Sequence, residues 1–225
     1  MKPIKSKAIV LRRTNYGEAD RILQLLTPEH GKVSVIAKGA RREKSKLAGG
    51  IELFALCDVT FLPGKGEMGT LTGARLDTFF AHILDSYDRL QLGYEAVKQV
   101  SKVADTVDEP AFFELLKVTF ASLNETDIDE KIVEAWFWLQ LAILMGVGMN
   151  LSTDINGMKL VEESRYNFEE SESAFVYSEN GRFTTEHIKL LRLLSAQPPR
   201  VAQQVKGVEE LIVDCAWLAA HAYAH

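Results

Sequence analysis

Two periods of hydrophobic and polar positions divide the chain. Residues 6–13, 21–27, 32–38, 54–62 and 70–76 are short β-rich runs. In the third, Val33, Val35 and Ala37 alternate with Lys32, Ser34 and, less cleanly, Ile36, the two-residue period of a strand with one buried face. Turn chemistry separates the runs. Asn15-Tyr16-Gly17 follows the first, Thr27-Pro28-Glu29-His30-Gly31 the second and Pro63-Gly64-Lys65-Gly66 the fourth. Five short strands within residues 1–78 predict a small closed barrel, because closure removes exposed strand edges.

From about Thr78 the period becomes helical. Phe79, Phe80, Ile83, Leu84, Tyr87 and Leu90 form one stripe, which residues 92–103 continue after a break near Gly93. Glu109-Pro110 opens a second helix, with proline near the first turn. Asp127 or Asp129 caps a third, which runs through Trp136 and Trp138 to about Met145. Residues 150–182 lose the period and carry Glu162, Glu163, Glu169, Glu170 and Glu172. Two helices, 184–196 and 208–222, close the chain on either side of Pro198-Pro199. The expected fold is α+β in two modules: a five-stranded β-barrel over 1–78, then an all-α helical domain over 79–225.

Composition narrows the class. The 225 residues are 47% hydrophobic and 25% charged, enough to bury a core without staples. Cys57 and Cys215 are too few for a disulfide framework or a zinc site of Cys type, and they suit a reducing compartment. Lys2, Lys5 and Lys7 are followed by only four apolar residues before Arg12 and Arg13, which is short for an export signal. The uncharged stretch 135–153 holds Gln140, Gly146, Gly148 and Asn150, so it reads as a buried core helix, not a membrane span. A cytoplasmic protein is expected.

Charge is unevenly shared. Residues 1–80 hold 14 Lys/Arg against 8 Asp/Glu, whereas residues 81–225 hold 12 against 23. A basic front and an acidic rear suggest different partners for the two modules. Lys38, Arg41, Arg42, Lys44 and Lys46 fall within nine residues between the third and fourth strands, a candidate phosphate-contacting arm. Arg12, Arg13, Lys65 and Arg75 share the module and are candidate DNA contacts. Stacking platforms are few: Tyr16, Phe54 and Phe61 are the aromatics of residues 1–78. Phe54 and Phe61 bracket an apolar strand and read as core, which leaves Tyr16 as the candidate for base stacking.

Other motifs carry less. Gly64-Lys65-Gly66-Glu67-Met68-Gly69 matches G-x-G-x-x-G, but a strand-like segment follows where a pyrophosphate site needs a helix N-terminus. A glycine-rich hairpin is expected. His221 and His225 share a helix spacing without a visible third ligand, so no metal is expected. No nucleophile elbow or Walker A motif occurs, and no cofactor or enzymatic activity is expected.

The motifs are specific enough to name a resemblance. Asn15-Tyr16-Gly17-Glu18-Ala19-Asp20-Arg21, then Leu26-Thr27-Pro28-Glu29-His30-Gly31-Lys32, then Ala37-Lys38-Gly39-Ala40-Arg41-Arg42 resemble the N-terminal signature of RecO, a bacterial DNA repair family. Ile51-Glu52-Leu53-Phe54 and Leu71-Thr72-Gly73-Ala74-Arg75 continue it, and it extends more thinly to about Leu194. The resemblance implies an N-terminal OB-fold barrel and a C-terminal helical domain. It implies binding of single- and double-stranded DNA and annealing of complementary strands. It also implies contacts with RecR and with the acidic, apolar-ended tail of single-stranded DNA-binding protein (SSB), so that RecA can be loaded in recombinational repair. Many family members carry a four-cysteine zinc module in the helical domain; the matching stretch here, 150–182, has no cysteine. For the SSB tail, Lys189 and Arg192 are candidates, three residues apart beside Leu190, Leu191, Leu193 and Leu194. The rival reading is a protein-only adaptor whose barrel docks a partner and whose basic loop is solvated surface.

Overall fold

The structure, a computed structural model, describes residues 2–64, 66, 68–106 and 110–224. Its contacts divide the chain into two compact units, Met1–Asn124 and Glu125–His225.

The first unit begins with β1 (Ile4–Tyr16), β2 (Asp20–Thr27), β3 (Gly31–Ala37), β4 (Ala55–Leu62) and β5 (Met68–Phe79). They close a barrel in the order β1-β2-β3-β5-β4. All neighbours are antiparallel except β3 and β5, which run parallel. Inward-facing Ala8, Val10, Leu23, Leu25, Val35, Cys57, Val59, Phe61 and Leu71 fill the barrel. The alternation expected for β3 is present, with Val35 and Ala37 fully buried.

Strand β1 carries a bulge between Val10 and Arg12. Val10 faces inward opposite Leu25, so unbroken alternation would also turn Arg12 inward. The extra residue, Leu11, instead sets Arg12 opposite Gln24 on the outer face and Arg13 opposite Leu23 on the inner one.

After the barrel come a short 3₁₀ turn (Ala81–Asp85), α1 (Tyr87–Val103) and α2 (Ala111–Asn124). Pro110 does precede a helix, while Glu109 lies outside the described residues. The helical stripe expected from Phe79 to Leu90 does not form as one element: β5 continues to Phe79, a 3₁₀ turn follows, α1 starts only at Tyr87, and Phe79, Leu84 and Tyr87 are exposed. The compact unit extends past the barrel to Asn124, and within it Phe54 ties these helices to the barrel. The Phe54 ring meets Tyr94 of α1 and Phe120 of α2 edge-on, with centroids 5.0 and 5.4 Å apart. Gly93 is the point of contact. The expected break there does not occur; α1 runs straight through it. A Cβ at Gly93 would sit 2.9 Å from Phe54 Cε1 and 3.3 Å from Ile83 Cγ2, so the missing side chain is what lets the ring approach.

The second unit contains α3 (Glu130–Leu144), β6 (Asn150–Asp154), β7 (Arg165–Glu169), β8 (Ala174–Tyr177), β9 (Phe183–Thr184), α4 (Thr185–Ala196), α5 (Pro199–Ala202) and α6 (Val208–Ala224). Asp129, one of the two expected caps, accepts a hydrogen bond from Lys131 N–H at 2.8 Å. Helix α3 is buried on nearly every side, including Trp136, Phe137 and Trp138, as the uncharged stretch predicted. No helix among the described residues is long and apolar enough to cross a membrane.

The expectation of an all-α second half needs correcting. Residues 150–184 form a four-stranded sheet in the order β6-β8-β7-β9. Tyr166, Phe168 and Phe183 surround the fully buried Phe175 in edge-on contacts. Ordinary aromatic packing therefore holds the cysteine-free segment. The overall class remains α+β.

Candidate nucleic-acid interface

The basic run lies in the 38–54 connection between β3 and β4. Its first residues are fastened to the turn between β1 and β2. Arg41 N–H donates to Ala19 O at 2.9 Å, and Gly39 N–H donates to Asp20 Oδ1 at 2.7 Å. Arg41 Nη1 also faces the carbonyls of Gly17 and Glu18, at 3.4 and 3.3 Å. The far end of the connection is anchored by Phe54, whose carbonyl accepts from Phe80 N–H at 3.0 Å. Phe54 adopts a left-handed backbone conformation (φ 54°), unusual for a bulky residue and held here by its buried ring.

The structure sorts the candidate contacts into three groups. Among the described residues, Arg12, Lys38, Arg42, Lys44 and Lys46 are exposed and form no ion pair. Tyr16 ends β1 beside the same turn and is 55% exposed, in register with Asp20. These six are available to a ligand.

The second group is already paired. Arg13, turned to the inner face by the bulge, binds Glu52 at 2.7 Å. Arg75 binds Asp58 at 2.6 Å across the β4–β5 pair, and Lys7 reaches both Asp58 and Asp77. Hydrogen bonds from Lys7 and then Arg75 hold the Asp58 carboxyl below its ordinary range, and Lys7 is raised in return. That ladder has two cations and two anions, so its face lacks the arm's excess of positive charge. Arg41 forms the third group, occupied by backbone carbonyls. Lys65 lies outside the described residues.

Two further candidates escaped the sequence reading. Arg21, opposite Asn15 and Ala37, is half-buried and has no ion-pair partner among the described residues. Asp20 looks like an intruding negative charge until its bond to Gly39 N–H is seen. No spacing rule signals either role.

In the second unit, Lys189 pairs with Glu186 and Glu162 at 2.9 and 3.3 Å. Arg192 Nε donates to Leu151 O at 2.7 Å, which fastens α4 to β6. Leu190, Leu191 and Leu194 are buried in the core. A separate recess of about 230 Å³ is lined by Phe168, Phe183, Trp217 and Leu218, with Arg182 at its edge. The Arg182 guanidinium lies 4.0 Å from the Trp217 ring centroid and binds Asp214 at 2.6 Å.

The remaining motifs resolve simply. Strand β5, not a helix, follows Gly64-Lys65-Gly66, so the glycines serve the β4–β5 connection. His221 stacks on Trp217, and His225 lies outside the described residues. Among the described residues no three His, Cys, Asp or Glu side chains are placed to hold a metal. Burial pushes the Cys57 thiol up to about 11 and the Cys215 thiol up to about 12, so neither is a poised nucleophile.

Five strands closed in this order, with a basic arm and an exposed aromatic at one end, define an OB-type barrel. Comparison with known sequences agrees. Residues 1–80 match the family described as Recombination protein O N terminal. The chain is 33% identical over 181 residues to the DNA repair protein RecO of Dehalococcoides mccartyi strain CBDB1, covering 80% of this chain and 70% of that one. It is 33% identical over 147 residues to the DNA repair protein RecO of Rubrobacter xylanophilus, covering 65% of this chain and 59% of that one. The chain belongs to the RecO family of DNA repair proteins.

Proposed function

We propose that this chain is a non-enzymatic recombination mediator. It binds single- and double-stranded DNA through the arm end of the barrel and anneals complementary strands. With RecR, it helps load RecA onto DNA coated by SSB, as a cytoplasmic, nucleoid-associated protein. The observation that carries the reading is the arm itself, a tethered loop whose Lys38, Arg42, Lys44 and Lys46 have no ion pair among the described residues. Phosphates are the natural partner of such a cluster, and few aromatics mean that backbone contact outweighs base readout. The acidic second unit is the module for protein partners. Two places in it are candidates for the SSB tail: the face of Lys189 and Arg192, and the Arg182–Trp217 recess.

Titration of a labelled oligonucleotide over a salt series tests the DNA reading. Single-strand affinity should fall with log salt at a slope of about −0.7 per phosphate neutralised, so four contacts give about −3. Sequence preference should be weak. Arg42→Ala and Arg21→Ala should each make the slope shallower by about 0.7. The rival, a protein-only adaptor, requires that the barrel bind no oligonucleotide in a salt-dependent way.

A further inference from the structure

The basic arm is not a uniform row of phosphate ligands. Arg41 and Arg42 are adjacent in sequence and equal in charge, yet their surroundings differ. Arg41 is bound through both its backbone and its side chain to the three residues of the β1–β2 turn, Gly17, Glu18 and Ala19. Arg42 has no ion pair among the described residues, and its stem lies over Gly39, with Cδ 3.5 Å from where a Cβ would stand. One arginine faces protein carbonyls; the other is left for solvent or ligand.

The turn that Arg41 grips is a tight, glycine-containing hairpin connection. Gly17 sits at φ 55°, and nothing lies within 4 Å of where its Cβ would be. The ladder pair of Tyr16 with Asp20 closes the hairpin, and Arg41 ties the turn to the arm through Ala19 O and its side-chain contacts. Asp20 supplies the second fastening from the other side, with its carboxylate on Gly39 N–H. Tyr16 immediately precedes the turn and stands opposite Asp20 in the ladder. The fastenings made by Arg41 and Asp20 thus add to the strand ladders in holding Tyr16 relative to the arm.

We infer that Arg41 is a positioning residue of the DNA interface and not one of its phosphate contacts. With Asp20 it clasps the β1–β2 turn to the arm, so that Tyr16 and Arg42 meet the strand as one preformed surface. This inference rests on the DNA reading above. It gives the carboxylate in the middle of a basic site a role: Asp20 is the acceptor that holds Gly39 N–H. It also favours arginine at 41, because Nη1 alone reaches both carbonyls from a side chain one atom longer than lysine's, and the guanidinium is less strongly hydrated than an ammonium.

Binding of a fluorescein-labelled oligo(dT) by the full chain, read by anisotropy across a salt series, tests it. The variants are Arg41→Lys, Arg41→Gln, Arg42→Gln and Tyr16→Leu, with each arginine change also combined with Tyr16→Leu. Arg42→Gln should make the log–log slope shallower by about 0.7. Both Arg41 variants should keep the slope of the unaltered chain while losing roughly three- to tenfold in affinity, even though Arg41→Lys retains the charge. The Arg41 change and Tyr16→Leu should be less than additive, because each removes the same contact; Arg42→Gln and Tyr16→Leu should add. Melting temperatures should stay near that of the unaltered chain, which separates positioning from a general loss of fold. If Arg41→Gln flattens the slope as Arg42→Gln does and adds to Tyr16→Leu, Arg41 is a phosphate contact and the inference is overturned. Unaltered affinity in Arg41→Lys also overturns it. If the unaltered chain itself binds without salt dependence, the DNA reading fails, and the clasp's role in it fails for that separate reason.

Discussion

Replacing Gly93 with alanine sets two known effects against each other. Glycine in a helix interior is about 1 kcal/mol less favourable than alanine, so propensity alone makes Gly93→Ala stabilising. Geometry opposes it. The new Cβ would lie 2.9 Å from Phe54 Cε1 and 3.4 Å from Phe54 Cζ, inside normal contact. Phe54 has little room to yield, because its ring is buried between Tyr94 and Phe120 and its backbone is held in the left-handed region. Overpacking of this kind costs roughly 1–3 kcal/mol. The net expectation is a destabilisation of about 0–2 kcal/mol, read as a lower urea midpoint with unchanged m-value. A smaller neighbour should relieve the overlap, so the cost of Gly93→Ala should shrink or reverse in a Phe54→Leu background. A gain of about 1 kcal/mol from Gly93→Ala alone would show that propensity governs the site and would refute the packing argument. The consequence reaches the interface, because Phe54 anchors the far end of the arm's connection. Gly93→Ala should speed amide exchange at Phe80 N–H, the donor to the Phe54 carbonyl.

Three further outcomes are expected. The protein should purify without zinc and keep its melting temperature in a chelator, since residues 150–184 are held by aromatic packing around Phe175; one tightly held zinc per chain by elemental analysis would overturn this. If the SSB tail docks at the Lys189–Arg192 face, Arg192→Glu should weaken tail-peptide binding by about 1–3 kcal/mol in calorimetry, while Arg192→Gln, which keeps a donor for Leu151 O, controls for damage to β6; undiminished affinity in a folded Arg192→Glu protein would move the site, with Trp217 fluorescence reporting the alternative recess. His187 is buried with its Nε2 unpartnered, and burial lowers its pKa; Asp214, 3.7 Å away, opposes the shift, while Arg165 and Arg182 reinforce it. The unfolded chain therefore binds this proton more readily, so stability is full above the ordinary histidine value of about 6.5 and declines as pH falls from there toward the lowered folded value. His187→Gln should flatten that stretch of the stability–pH curve, and an unchanged curve would exclude His187 as its source.

The sequence is legible wherever structure depends on neighbours along the chain. The alternation of Val33, Val35 and Ala37, the turn at Pro28–Gly31 and the Asp129 cap are local, and all stand in the structure. The small sheet is opaque because its strands have five residues or fewer and β6 joins β8 in parallel across some twenty residues, so no run is long enough to set a period. Gly93 misleads because its partner, Phe54, is distant in sequence: an isolated glycine reads as a break, while the same glycine opposite a ring is a contact. The binding site follows the same rule. Composition counts cations but not the carboxylates and carbonyls that meet them, and those come from 39 residues away for Arg13 and 17 for Arg75. Within one basic run, Arg41 and Arg42 are indistinguishable as letters, and only the turn from Gly17 to Ala19 separates them. The charge a site offers its ligand is therefore what remains after the fold has used its share. Among the described residues near the arm, the remainder includes Arg12, Arg21, Lys38, Arg42, Lys44 and Lys46.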